Sequence, residues 1–258
     1  MGLETAIRHV IARAKGHVGV VVAELPVGEV TEINGDEAFR AASIIKVPIL
    51  YELFHKSESR NLDLDQTHVV NERNICTGSG VIRTLHRPLP LTLKDLAILM
   101  IIVSDNSATN ELIDVAGIDD VNSTMRSLGL HQTVLRRKML GDAGGDVPFD
   151  KDNVSSPRDL VALLNEIYSG SHLSRHSCDS MLEAMKLQQL TNKIPRYLPS
   201  NLLIANKTGT VRGVSNDAAI LFLKKPVAIA VMCMDLEHSA YGSDVIATIG
   251  RVVYDYYS

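Results

Sequence analysis

The sequence predicts a mixed α/β fold of the α+β type, in which an antiparallel sheet built from both ends of the chain joins an all-helical middle. Three observations carry this. Strand-like apolar runs occur only near the two ends, at Val18-Gly-Val-Val-Val-Ala-Glu-Leu25 and again from Leu202 onward. Between them, from Ser43 to Leu187, the recurring apolar spacing is helical. Amphipathic helices open and close the chain, at 1–15 and 241–257. The division is then a sheet domain from 1–42 and 197–258, a helical domain from 43–196, and a functional site at their interface.

Taken in order, Pro26 to Glu29 make a turn and Val30 to Ile33 a second strand, ending at Asn34-Gly35. A helix runs from Ser43 to about Lys56, with Pro48 near its start, where a missing N–H is tolerated. Residues 57–90 are polar and irregular, and Thr77-Gly-Ser-Gly80 is their most flexible point. No Gly-Lys-Ser/Thr follows that segment, so it reads as a loop and not as a phosphate cradle. Thr92-Leu-Lys-Asp95 has the spacing of a helix start, and the apolar run Leu96 to Val103 makes a buried helix, far short of a membrane span. Ser107 is the expected cap of a helix over Ala108–Ala116, and another spans Ile118–Leu128. Ser155-Ser-Pro157 starts the next helix, and a further one covers about Ser174 to Leu187. Leu202–Asn206, Ala218–Leu223 and Val227–Met234 are three strands, the last two joined at Lys224-Lys-Pro226.

Composition narrows the function classes. The 258 residues are 45% hydrophobic and 22% charged, with a net charge of -4 and no long basic run, which argues against nucleic acid or an anionic membrane as partner. Cys76, Cys178 and Cys233 are odd in number and widely spaced, so buried thiols are expected instead of a disulfide framework or zinc site. The nine histidines show no ligand spacing. No metal and no cofactor is expected. The opening helix has charges among its apolar residues, unlike a signal peptide, which leaves a cytoplasmic protein or one whose leader is not part of this chain.

Chemistry concentrates at three short motifs. In Ser43-Ile-Ile-Lys46 the lysine lies one helical turn from the serine, placing an amine near a hydroxyl that needs a base to become a nucleophile. Ser-x-x-Lys occurs by chance about once in a chain of this length, and a capping serine with a surface lysine is the alternative. Ser104-Asp-Asn106 follows a helix and Lys207-Thr-Gly209 lies on a strand. Each of these is expected by chance in only about one chain in ten or fewer. A lysine has an ordinary pKa near 10.4, so Lys46 can serve as a base only if burial and a second cation such as Lys207 lower it.

Ser-x-x-Lys, Ser-Asp-Asn and Lys-Thr-Gly in this order are the signature of class A β-lactamases and penicillin-binding proteins, and the chain resembles the class A β-lactamase family over nearly its whole length. The resemblance implies a small-molecule substrate, a β-lactam or a D-Ala-D-Ala-like peptide. It implies Ser43 as the acylated nucleophile, Lys46 as its proton acceptor and Ser104 as the relay to the leaving nitrogen. Asn106 would bind the substrate's side-chain amide, while Asp105 braces its loop. Lys207 and Thr208 would hold the substrate carboxylate, and Gly209 would let the strand approach the ligand. The N–H groups of Ser43 and Thr210 would form the oxyanion hole.

Two departures matter. The family's long loop carries a glutamate and, shortly after, an asparagine that hold the hydrolytic water, whereas here Lys138, Met139 or Leu140 stands at the glutamate. Deacylation is then slow or uses another group. Asp142 and Asp146 are the nearest carboxylates, either a replacement base or solvated loop residues, and Asn153 reads as structural. The Asp-rich loop from Thr133 to Asp152 does not match a calcium loop. In place of the strand arginine common in the family stands Ser215-Asn-Asp217, with Arg212 as a substitute anchor or a surface turn residue. Three functions compete: a β-lactam hydrolase, a D-alanyl-D-alanine peptidase or esterase with the same nucleophile, and a penicillin-binding sensor that is acylated and stops there.

Overall fold

The computed structural model describes residues 2–26, 28–60, 62–141 and 147–258. Its centre is a five-stranded antiparallel sheet in the order β2-β1-β9-β8-β7, formed by β1 (His17–Glu24), β2 (Val30–Ile33), β7 (Ile204–Val211), β8 (Val214–Leu221) and β9 (Val227–Met234). β1 pairs with β9 along its whole length, from His17↔Met234 to Glu24↔Val227, so the two ends of the chain close one sheet as the apolar runs predict.

The period-two alternation of strand side chains loads both faces of the sheet. Val18, Val20 and Val22 point with Ile229 and Val231 toward α1 (Leu3–Ile11) and α8 (Ser239–Tyr257), where they meet Ile7, Ile246, Ile249 and Val253. Val21 and Ala23 point the other way with Ala218, Ile220, Ala230 and Met232. There they join the core of the middle helices, with Leu50 and Leu53 from α2 (Lys46–Ser59) and Leu163 from α6 (Pro157–Ser169).

The remaining helices are α3 (Leu93–Ile102), α4 (Asn106–Ala116), α5 (Ile118–Ser127) and α7 (Arg175–Lys186). Local chemistry explains their ends. Thr92 and Asp95 form the reciprocal capping box their spacing suggests, and Ser156 and Ser174 cap α6 and α7. The cap of α4 is not Ser107 but Asp105, whose carboxylate accepts from the backbone of Ser107 and Ala108. A carboxylate outcompetes a hydroxyl there because the helix end offers orphan N–H groups and positive charge. The described residues of 57–90 are more ordered than their composition suggests. They include β4 (Thr67–Val69), paired with β5 (Pro90–Thr92), and β3 (Phe39–Arg40) pairs likewise with β6 (Val154–Ser155).

Candidate active site

Ser43 lies on a 3-10 turn, Ala42–Ile45, that runs directly into α2. The preceding Ala42 has φ 47°, and Ser104 has φ 55°. Such left-handed values cost a residue with a side chain about 1–3 kcal/mol and persist only where the surroundings impose them. Here the imposition is visible. Gly209 on β7 passes so close that a Cβ on it would stand 2.9 Å from Ala41 O and 3.1 Å from both Ser43 N and Ile44 N. The close approach expected of Gly209 is thus made to the serine turn itself. From the next strand, the Asn216 side chain donates to Arg40 O at 2.8 Å and Ala41 O at 3.1 Å.

The two motif lysines meet on one hydroxyl. Lys46 Nζ donates to Ser104 O (2.7 Å), Ser104 Oγ (2.9 Å) and Asn106 Oδ1 (2.9 Å). Lys207 Nζ donates to the same Ser104 Oγ at 3.1 Å and to Thr208 O at 2.8 Å. Both lysines are fully buried. Burial, and then the charge of Lys207, hold Lys46 well below its ordinary pKa against the opposing pull of Asp105. Burial brings Lys207 down to about 7. When Lys46 loses a proton it keeps two donors for its two carbonyl acceptors, and its lone pair can accept from the Ser104 hydroxyl, which both donates and accepts. The contacts therefore survive in either protonation state, which is what a proton relay needs.

The Ser-Asp-Asn turn is held by the segment that composition marks as most flexible. Asn106 N donates to Ser79 O, Asn106 Nδ2 to Thr77 O at 2.9 Å, and Asp105 Oδ2 accepts from Val81 N and Ile82 N. A Cβ on Gly80 would stand 2.3 Å from the Asp105 carboxyl, so glycine there serves close packing and not mobility. Asp105 braces this wall, and Gly78 and Ser79 line the cleft.

The cleft above Ser43 has a volume of about 510 Å³, within the range of small-molecule sites. Asn106, Thr210 and Arg212 line it with Ser43. Arg212 sits at the tip of the β7–β8 hairpin, so it is both a turn residue and a wall of the cleft. Thr208 and Gly209 lie on the same strand as Lys207, paired with Asp217 and Asn216.

The long loop supplies the opposite wall. Lys138 turns outward, 2.6 Å from Asp114 and 2.7 Å from Asn74, which leaves Met139, Leu140 and Gly141 facing the cleft. Asn110 grips Met139 by both backbone groups. Among the described residues the one carboxylate lining the cleft is Asp152, and it is engaged by Arg40 at 2.7 Å and Arg137 at 2.5 Å. Asn153 straps the loop internally, accepting from Arg136 N and Arg137 N and donating to Arg137 O. Asp142 and Asp146 lie outside the described residues. Cys178 and Cys233 are buried, whereas Cys76 is half-exposed with its thiol on Met139 O at 3.2 Å.

Sequence reasoning missed Lys193 and its partner network. Lys193 is buried beneath β7, where its ammonium donates to Gly209 O, Thr210 Oγ1 and Asn216 O. Asp217, also buried, accepts from Ile194 N and Asn206 Nδ2, each at 3.0 Å. Burial pushes Lys193 down and Asp217 up. The available signal was Asp217 itself, a charge directly before the apolar run Ala218–Leu223 that must have a partner once buried. Among the described residues no helix is long and apolar enough to cross a membrane, and no cluster of three or more His, Cys, Asp or Glu could hold a metal.

Comparison with known proteins identifies the family. The model of the β-lactamase enzyme family matches residues 2–257. The β-lactamase CARB-4 of Pseudomonas aeruginosa is 26% identical over 253 residues, covering 96% of this chain and 87% of its own. The crystal structure of a β-lactamase from Sphaerobacter thermophilus is 33% identical with a TM-score of 0.91, covering 99% of this chain and 96% of that one. A leucine-to-glutamate variant of PBP-A, solved as an acyl-enzyme complex with penicillin G, is 28% identical with a TM-score of 0.88, covering 98% and 95%. Fold, motif order and family model converge, and the chain belongs to the β-lactamase enzyme family, among its class A serine enzymes.

Proposed function

We propose that this protein opens β-lactam rings through an acyl-enzyme at Ser43 and releases the product slowly. Neutral Lys46 turns its one lone pair from the Ser104 hydroxyl to Ser43 and takes the Ser43 proton as Oγ attacks the lactam carbonyl. The N–H groups of Ser43 and Thr210 stabilise the oxyanion, and Ser104 passes a proton from Lys46 to the departing nitrogen. Lys207, with one ammonium proton uncommitted among the described residues, and Thr208 hold the substrate carboxylate, with Arg212 at the rim. Asn106 Oδ1 retains a lone pair for the substrate's side-chain amide. The site lies between a sheet domain, 1–42 with 197–258, and a helical domain, 43–196.

The observation that carries this reading is the junction of Lys46 and Lys207 on Ser104 Oγ, with Ser43 and the next motif residue, Asn106, lining one cleft. The apolar loop wall, Met139 and Leu140, supports the slow second step, since neither side chain can activate water. That wall also favours a second reading, in which the acyl-enzyme is the end point, as in a sensor, or passes to another acceptor, as in a D-Ala-D-Ala peptidase or esterase. Asp142 and Asp146 enter either as a replacement base or as solvated loop residues. An unchanged release rate in both Asp142→Ala and Asp146→Ala removes the first role.

One experiment separates the readings. The protein is mixed with a chromogenic cephalosporin and with penicillin G, and turnover and intact mass are followed together. Sustained turnover supports the hydrolase, and a persistent adduct at Ser43 supports the receptor or peptidase. The absence of both adduct and turnover sinks the β-lactam reading and leaves the esterase. Activity retained in Ser43→Ala overturns the assignment as a whole.

A further inference from the structure

We propose that Lys193 is a positioning residue that aims the Thr210 N–H at the reacting carbonyl without touching substrate. The inference rests on the proposed acylation at Ser43. It starts from where the Lys193 ammonium ends: 2.7 Å from Gly209 O, 2.8 Å from Thr210 Oγ1 and 2.9 Å from Asn216 O. Lys193 is buried and is not among the residues that line the cleft, so it acts only through these partners.

Gly209 O and the Thr210 N–H belong to one planar trans peptide, and point to opposite sides of the chain. Fixing the carbonyl on Lys193 therefore fixes the direction of the N–H. β7 is the terminal strand of the sheet, so a group turned away from β8 meets no further strand. The Lys193 contact to Thr210 Oγ1 does the same for the side chain. The ammonium occupies the hydroxyl's accepting side, which leaves the hydroxyl proton free for another acceptor.

Both oxyanion donors are referenced to one rung of the sheet. Gly209 pairs with Asn216, and the Asn216 carbonyl is the third acceptor of Lys193. The Asn216 side chain holds Arg40 O and Ala41 O, at the base of the Ser43 turn. The spacing between Ser43 N–H and Thr210 N–H is thus set by a joint whose far side is the Lys193 ammonium. Asp217 completes it by accepting from Ile194 N, the residue after Lys193, and from Asn206, the residue before Lys207.

The test compares acylation rates. Removing Lys193 alone would strand the buried Asp217 charge, so the variant is the double substitution Lys193→Met with Asp217→Asn, which removes both charges together. Stopped-flow acylation by penicillin G, at several concentrations, separates non-covalent affinity from the acylation step. Intact mass verifies the adduct. The expected result is a fall of about 10²–10³-fold in the acylation rate constant, the loss of one oxyanion donor, with affinity changed less than about threefold. Lys193→Arg, which keeps a buried cationic donor, is expected to recover the rate to within about tenfold of the parent. An acylation rate within threefold of the parent in the folded double variant overturns the proposal. So does a double variant that does not fold, because Lys193 is then a stability residue, and so does Lys193→Arg failing to exceed the double variant. Absence of both adduct and turnover with the parent sinks the proposed function and this inference with it. An adduct on the parent with an unchanged variant rate sinks this inference alone.

Discussion

Gly209→Ala isolates the role of strand approach. A Cβ at this position would stand 2.9 Å from Ala41 O and 3.1 Å from Ser43 N and Ile44 N, where ordinary contact begins at 3.4 Å. All three neighbours are backbone atoms, so no side chain can swing aside. Asn216 and Lys193 pin the two sides of the joint, so the strain must open it by about 0.3–0.5 Å. Oxyanion donors work within a window of about 2.7–3.1 Å, so a shift of this size takes one of them out of range, at a cost of about 10²–10³ in acylation rate. Overpacking also costs about 1–3 kcal/mol of stability. Gly170→Ala provides the control. Gly170 ends α6 in the left-handed region, φ 68°, and does not line the cleft. Its alanine variant is expected to lose about 1–2 kcal/mol of stability and to leave acylation unchanged. Penicillin G acylation by intact mass, with thermal melts of both variants, makes the comparison. A folded Gly209→Ala protein acylated within threefold of the parent rate would refute the reasoning.

Three further outcomes follow from the same geometry. Lys207→Gln removes the cation that helps keep Lys46 neutral. The Lys46 pKa then rises, less neutral amine is present at a given pH, and the acid limb of the acylation rate moves to higher pH. A limb that stays fixed or moves acidward contradicts the assignment of Lys46 as base. Met139→Glu or Leu140→Glu puts a carboxylate on the loop wall of the cleft. Release of the penicilloyl group should quicken by about 10²-fold or more in at least one of them, the scale of a general base, and unchanged adduct lifetimes in both would count against the loop as the reason for slow release. Asp105→Ala leaves the N–H groups of Val81, Ile82, Ser107 and Ala108 without their acceptor. At about 1–3 kcal/mol for each buried orphan, a loss above 3 kcal/mol is expected in chemical denaturation, and a smaller loss would mean that other acceptors replace it.

What could be read from the sequence is what the chemistry forces into short spacing. Ser43 and Lys46 share a helical turn, and Lys207-Thr-Gly209 shares a strand, so their residue types stand close together in the chain. The sheet from both termini was legible for a similar reason, because alternation and apolar runs are local. Two errors were local as well. Asp105 and Ser107 are both good caps two residues apart, and only the orphan N–H groups of α4 and of Val81–Ile82 together decide for the carboxylate. Gly78 and Gly80 read as flexibility, yet their positive φ values, 83° and 113°, accompany tight packing against Asn106 and Asp105. Glycine permits both uses, and its neighbours in space choose between them.

The partners that stayed hidden are those joined over long separations. Lys193 reaches Asn216 across 23 residues, Asn110 reaches Met139 across 29, and Asn216 reaches Arg40 across 176. No spacing rule brings such pairs together, because the fold alone does. Even so, one of them left a trace. In Val214–Leu221, every residue of which is buried, Ser215, Asn216 and Asp217 interrupt the apolar side chains, and the charge of Asp217 stands at the rung facing Thr208. An isolated carboxylate does not survive such burial, so the strand must face a cation and hydrogen-bond donors supplied from elsewhere. A buried charge on the strand beside Lys-Thr-Gly was therefore already evidence that a second layer supports the cleft. The residues of that layer became identifiable only when the sheet brought Lys193 under Gly209.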